Sequence, residues 1–279
     1  MNKGTIEKMY NLAKEQYAAI GVNTDAALER MKEVVISMHC WQTDDVGGFE
    51  KADASLSGGG IQSTGNYPGK AKTIDQMRAD LEVAMKLLPG KQRLNLHAIY
   101  GEFGGKAVDR DAIGIEHFQG WIDWAKALGT GLDFNGTYFS HPLADSGFTL
   151  SSKNENIRRF WVNHLKRCRE IGAEMGRQQG SPCIHNTWIP DGSKDIPIDR
   201  NGHRALLKQS LDEGFQTGYQ PNHLKDAVES KLFGIGAESM TVGSHDFYLG
   251  YAVKPRTRCA RCLTARHTMA SNSCCPNWD

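Results

Sequence analysis

Apolar residues recur at helical spacing from residue 5 to residue 32, and the pattern then changes to the short, β-branched run Val34-Val35-Ile36-Ser37-Met38-His39. Helical periodicity followed by such a run predicts a helix and then a buried strand. A glycine-rich stretch from Ser57 to Lys70 is long enough to act as a lid and not merely a connection. The spacing next predicts a helix over 73–88, stopped by Pro89-Gly90. The same beat repeats: strand 93–100, helix 115–128, strand 131–135, helix 153–177, strand 181–188, helix 201–213 and strand 227–231.

Five βα units of similar size imply a parallel sheet, in either a (β/α)8 barrel or a doubly wound open sheet. The barrel is favoured, because no Gly-x-Gly-x-x-Gly follows the first strand and the chemically interesting residues sit at the ends of several strands. Five or six units do not close eight strands. The expected fold is therefore an α/β chain of the (β/α)8 TIM-barrel type, truncated to about five or six βα units over residues 1–253. Residues 254–279 form a Cys- and Arg-rich tail without helix or strand periodicity, expected to be disordered.

Composition narrows the function classes. The 279 residues carry 33 basic and 32 acidic side chains, a net charge of +1, which leaves no electrostatic footprint for nucleic acid or an anionic membrane. No run approaches the roughly 18 apolar residues of a membrane span, and Met1 to Lys8 lead into an amphipathic helix instead of a secretory core. The chain reads as cytoplasmic, with a small neutral substrate. Cys40, Cys168 and Cys183 are scattered while Cys259, Cys262, Cys274 and Cys275 crowd the tail, a distribution unlike an extracellular disulfide framework.

Glu229 and Lys231 stand two apart in an apolar frame, so a strand there would point both to one face. They read either as a local ion pair or as a catalytic pair, Glu229 holding a divalent metal and Lys231 donating to a substrate oxygen. His97, Asn135, His185 and Trp188 lie near other strand ends. A barrel would gather these ends into a pocket suited to a polyol, with Trp188 as a flat apolar face and His97, Asn135 and Lys231 as donors to hydroxyls. Trp188 also reads as packing, and His185, on the opposite pleat, as a core or helix-facing histidine. Trp41 is a candidate pocket wall, and the adjacent Asp44 and Asp45 read as solvated loop charges. Asp191, in Trp188-Ile189-Pro190-Asp191-Gly192, is either a turn residue or a substrate contact. Ser140-His141-Pro142-Leu143 is placed on the rim.

Together these segments resemble the L-rhamnose isomerase family. The resemblance is carried by Ser37 to Gln42, Gly59 to Ala71, Arg93 to Tyr100, Gly131 to Asn135, Phe139 to Leu143, Trp188 to Gly192 and Asp226 to Glu238, in order from residue 5 to about 253. It implies a (β/α)8 barrel that interconverts L-rhamnose and L-rhamnulose by a hydrogen shift between C1 and C2. It also implies two divalent cations, usually manganese (Mn2+), that polarise the sugar oxygens, and a homotetramer. By position it makes Glu229 a metal ligand, Lys231 the substrate lysine, Trp188 the tryptophan packed on the sugar and His97 a substrate-binding histidine; Trp41, Asn135 and Asp191 are expected as further sugar contacts from the residue reading alone.

The family continues past Val253 into a strand of the type Leu-Cys-Leu-Asp-Ala-Gly-His, whose Asp and His bind metal. Aligned without gaps, Cys262 and Ala265 stand at those two positions here, which implies impaired catalysis. The tail resembles an out-of-frame reading; a zinc site from Cys259, Cys262, His267 and Cys274 is the weaker alternative because the second pair is irregularly spaced. The alternative function is a non-catalytic sugar- or metal-binding remnant.

Overall fold

Asn2 and Asn23 begin the chain's first two helices, each side chain accepting a hydrogen bond from the backbone N–H three residues on. The computed structural model describes residues 2–43, 45–50, 67–231, 238–253 and the backbone of 264–266. The helices are α1 (Lys3–Ala19), α2 (Thr24–Met31), α3 (Ile74–Leu87), α4 (Gln119–Leu128), α5 (Glu155–Gln179), α6 (Arg200–Gly214) and α7 (His245–Ala252). The strands are β1 (Ile36–His39), β2 (Gln92–His97), β3 (Gly131–Asn135), β4 (Cys183–Thr187), β5 (Gly192–Ser193), β6 (Leu224–Glu229), β7 (Met240–Thr241) and β8 (Thr264–Arg266). The glycine-rich stretch over 51–66, Asp44, residues 232–237 and the tail cysteines lie outside the described residues.

Six strands form one all-parallel sheet in the order β1-β2-β3-β4-β6-β8, with β5 and β7 pairing antiparallel beside it. The order never turns back on itself, so the sheet has no switch point of a doubly wound fold. Alternation divides its two faces. Leu94 and Leu96 of β2 and Leu132 and Phe134 of β3 enter the helix layer, while Arg93, Asn95 and His97 of β2 and Asp133 and Asn135 of β3 lie on the other face. At the N-terminal end of that face, Asp133 accepts from Ser37 Oγ (2.6 Å), the Arg93 guanidinium (3.0 Å) and Ile184 N (2.8 Å), which closes this end with a saturated carboxylate.

The helix layer contains two apolar cores, and α5 belongs to both. Trp161, Val162 and Leu165 from its first half pack with Leu207, Leu211 and Phe215, whereas Cys168, Ile171 and Met175 from its second half pack with Trp121, Phe134 and Cys183. Gly172 and Gly176 let this helix close on the sheet. A Cβ on Gly176 would stand 1.7 Å from the carbonyl oxygen of His223. Ala would gain about 1 kcal/mol of helix propensity, but backbone cannot yield to such an overlap. Gly176→Ala is expected to lower stability by about 1–3 kcal/mol net, read from the urea midpoint; an unchanged midpoint would show that the helix can lift.

Several expectations are corrected here. The helical run over 5–32 is two helices, parted where Gly21 takes φ 82° and Asn23 caps the second. The first strand begins at Ile36 and is not buried: Ile36 is 41% exposed, because among the described residues β1 pairs only with β2 and no residue of α1 or α2 is buried. The second strand ends at His97, and Ala98–Tyr100 form a 3-10 turn. Within the tail read as lacking strand periodicity, Thr264–Arg266 pair in parallel with β6; the β6 edge recruits backbone groups, and backbone pairing needs no side-chain pattern. No helix among the described residues is long and apolar enough to cross a membrane.

Candidate functional site

Parallel strands all deliver their C-terminal residues to one end of a sheet. The register sets His97 of β2, Asn135 of β3 and Asn186 of β4 in one cross-strand row. Asn186 extends the row, donating through Nδ2 to the Glu229 carboxylate at the end of β6. His97 and Asn135 are buried, and Glu229 is half-buried.

His97 is held on three sides. Its backbone N–H donates to Cys40 Sγ (3.2 Å), Nδ1 lies 3.2 Å from Thr137 Oγ1, and Nε2 lies 3.3 Å from Nδ1 of the exposed His39. Burial, reinforced by His39 and Arg110, pushes its pKa well below the ordinary histidine value. The ring is therefore neutral at physiological pH, with one N–H and one lone pair. Trp41 leans over it with ring centroids 4.4 Å apart and stacks on Phe139 at 5.6 Å, and Trp188 meets Phe139 edge-on at 5.7 Å. The half-buried Trp41 and Trp188 thus flank Phe139 in an aromatic wall that begins at His97.

Lys231 departs from the expected pairing. β6 ends at Glu229, and the Lys231 ammonium turns to Glu238 (Nζ to Oε2, 2.5 Å) and donates to the Pro190 carbonyl (2.7 Å). Glu238, not Glu229, is the carboxylate 2.5 Å from Lys231, and the local ion pair with Glu229 is not formed. Burial lowers the Lys231 pKa against the pull of Glu238 and raises that of Glu238 against the pull of Lys231.

Asp191 is a loop anchor. Its fully buried carboxylate accepts from Thr149 N (2.8 Å), Thr149 Oγ1 (2.5 Å), Ser151 N (2.9 Å) and Ser151 Oγ (2.5 Å), the turn role of the two readings. Four short bonds commit the group to fixing the turn after Trp188. Asn135 likewise uses Oδ1 to accept from Thr137 N (3.0 Å). Asp45, expected in solvent, is buried and holds Lys70 (3.0 Å) and Tyr100 Oη (3.0 Å), because its loop folds back onto the Tyr100 turn. His185 faces the helix layer, with Nδ1 3.4 Å from Asp226, and His141 pairs with Asp109 at 2.9 Å. Sequence reasoning passed over Asn186, Phe139 and Glu238, although Asn186 shares a pleat with Trp188 and that alternation was available.

For a divalent cation the described residues supply an incomplete donor set. Glu229 offers a hard carboxylate and Asn186 Oδ1 is buried without a partner, but no group of three or more His, Cys, Asp or Glu side chains that could hold an ion occurs among the described residues.

A family model described as L-rhamnose isomerase (RhaA) matches residues 4–274. The chain belongs to the L-rhamnose isomerase family. Curated relatives of that name include one from Rhodopirellula baltica, 56% identical over 268 residues that make up 96% of this chain and 62% of the relative. Another, from Bacteroides thetaiotaomicron, is 56% identical over 246 residues, 88% of this chain and 58% of the relative. A third, from Salmonella paratyphi B, is 54% identical over 262 residues, 94% and 62%. The chain thus spans about three fifths of the length of these L-rhamnose isomerases. The family match runs beyond Val253 into the tail.

Proposed function

We propose that this chain carries the L-rhamnose isomerase function, interconverting L-rhamnose and L-rhamnulose by a hydrogen shift between C1 and C2, with its sheet as one wall of a (β/α)8 barrel. The observation that carries this reading is the row His97, Asn135, Asn186 and Glu229 at the C-terminal ends of successive parallel strands, beside an aromatic wall. That is where barrel enzymes place their sites.

In this reading the open faces of Trp41 and Trp188 pack against the C–H side of the sugar. The neutral His97 exchanges one hydrogen bond with a hydroxyl. Lys231, oriented by Glu238 and the Pro190 carbonyl, supplies positive charge near the Trp188 strand end. Glu229 is proposed as one ligand of a divalent cation, manganese first, with the other ligands beyond the described residues. A homotetramer in the cytoplasm is proposed with it, supported by Ile6, Met9, Leu12 and Ile20, apolar residues exposed on and just after α1.

Titration calorimetry with L-rhamnose, with and without manganese, beside a ketose assay, tests the function. Slow manganese-dependent formation of L-rhamnulose is expected, impaired because Cys262 and Ala265 stand at two ligand positions; metal-independent binding with no ketose at any manganese concentration would instead make the chain a non-catalytic sugar binder. Manganese is expected to raise the melting temperature of the wild type and leave Glu229→Gln unmoved. A rise that survives this substitution would put the ion elsewhere.

A further inference from the structure

We propose that Arg110 is a positioning residue for the sugar site, acting through the loop that follows β3 to hold both His97 and the aromatic wall. The proposal rests on the site reading above, since it concerns how that site is kept in shape.

The loop Gly136 to Ser140 is strained. Thr137 has φ 53° and Ser140 φ 54°, a left-handed conformation that non-glycine residues avoid and that is unusual for a β-branched side chain. Such conformations persist only where the surroundings over-determine them, and here the surroundings are Arg110. Its guanidinium, 1% exposed, donates to the Thr137 carbonyl through Nη1 and reaches the Phe139 carbonyl through Nη2 (3.3 Å). Glu50 fixes the fork from the other side, Oε1 at 2.5 Å from Nε and Oε2 at 2.8 Å from Nη2. His164 lies between the two backbones, with Nδ1 2.6 Å from the Arg110 carbonyl oxygen and Nε2 against the Gly136 carbonyl, and its one N–H donates to one of them.

The two residues whose carbonyls Arg110 grips are those that reach the site. Thr137 presents Oγ1 to His97 Nδ1, and Phe139 inserts its ring between Trp41 and Trp188. The Thr137 hydroxyl can donate to or accept from Nδ1, so what Arg110 fixes is the position of the partner that holds the His97 ring.

Arg169 supplies an internal control. It is equally buried and has the same bidentate carboxylate, Asp226, and two carbonyl acceptors, but those belong to Gly214 and Thr217 in the helix layer. Loss of a buried guanidinium as such affects both arginines; loss of the site affects one.

The test is 15N NMR of the histidine rings in the full chain, with His97 identified by its absence from His97→Gln, together with calorimetry for L-rhamnose. One set of His97 ring signals, from a ring held in a single position, is expected in the wild type. Arg110→Lys keeps the charge but cannot reproduce the fork; it should shift and broaden the His97 ring signals as the ring loses its fixed partner, and weaken sugar binding about tenfold. Arg169→Lys should lower the melting temperature and leave those signals in place. Glu50→Gln, which leaves Arg110 in the chain, should move them in the same direction by less, and it decides the matter should Arg110→Lys not fold. Unchanged His97 signals in the folded variant, or equal movement in Arg169→Lys, would overturn the proposal. The ring signals are read without sugar, so a wild type that fails to bind L-rhamnose would count against the function and not against the role of Arg110.

Discussion

Arg169→Met is expected to cost about 3–5 kcal/mol of stability, because it leaves the Asp226 carboxylate buried without its guanidinium. In the wild type both Asp226 oxygens are engaged at 2.9 Å, and the same guanidinium lies against the rings of Phe215 and Tyr219. Burial pushes the Asp226 pKa up, but His185 and Arg169 outweigh it and hold the group at about 2. A carboxylate depressed in the folded state stabilises the fold fully above its unfolded value, near 3.8, and loses that contribution as pH falls through about 2. Arg169→Met removes the permanent cation beside Asp226, so its acid unfolding should begin at higher pH. Urea midpoints of both proteins at pH 7 and pH 3 measure this. Equal midpoints at pH 7 would refute the dominance of the pair.

Lys231→Met should be comparably damaging, at about 3–5 kcal/mol, since it strands Glu238 in a sealed site. The double variant Lys231→Met, Glu238→Leu should recover most of the loss, because a buried ion pair exchanged for apolar groups of similar volume is often neutral. A double variant as unstable as the single one would mean that packing and not charge is at stake. Burial lowers the Lys231 pKa, so the folded state is penalised for its charge at low pH and relieved as pH rises from the folded value to the unfolded one. Glu238 has the opposite sign: its raised pKa makes stability fall as pH climbs from the unfolded to the folded value. Both pH dependences should vanish in the double variant.

How much of this was legible depended on the range of the information. β3 was bounded correctly at Gly131 and Asn135, and α3 and α6 to within a residue or two, because periodicity and local stop signals decide them. The break between α1 and α2 was also local, in Gly21 and the capping Asn23, and was missed by following the apolar spacing through it. The burial of β1 was misjudged for a different reason: an apolar run has the same composition at the edge of a sheet as at its centre. That His97, Asn135 and Glu229 lie near one another was legible because parallel strands bring their ends together whatever the loops do. The partners of Lys231 and Asp191 were hidden, because Glu238 and Thr149 reach them through loop geometry that no repeat in the sequence encodes. The grip of Arg110 on residues 137 and 139 is of the same kind.

The sharing of α5 between two cores has a consequence for how the molecule comes apart. A helix of 25 residues whose first half completes one core and whose second half completes the other cannot melt at one end without withdrawing side chains that the remaining core needs. Cores of this size joined by loops alone would open as separate foldons. Spliced by one rigid rod that also presses Gly176 onto the backbone of the sheet, they unfold in a single cooperative step, while α1 and α2, which bury nothing, can fray ahead of it at little cost.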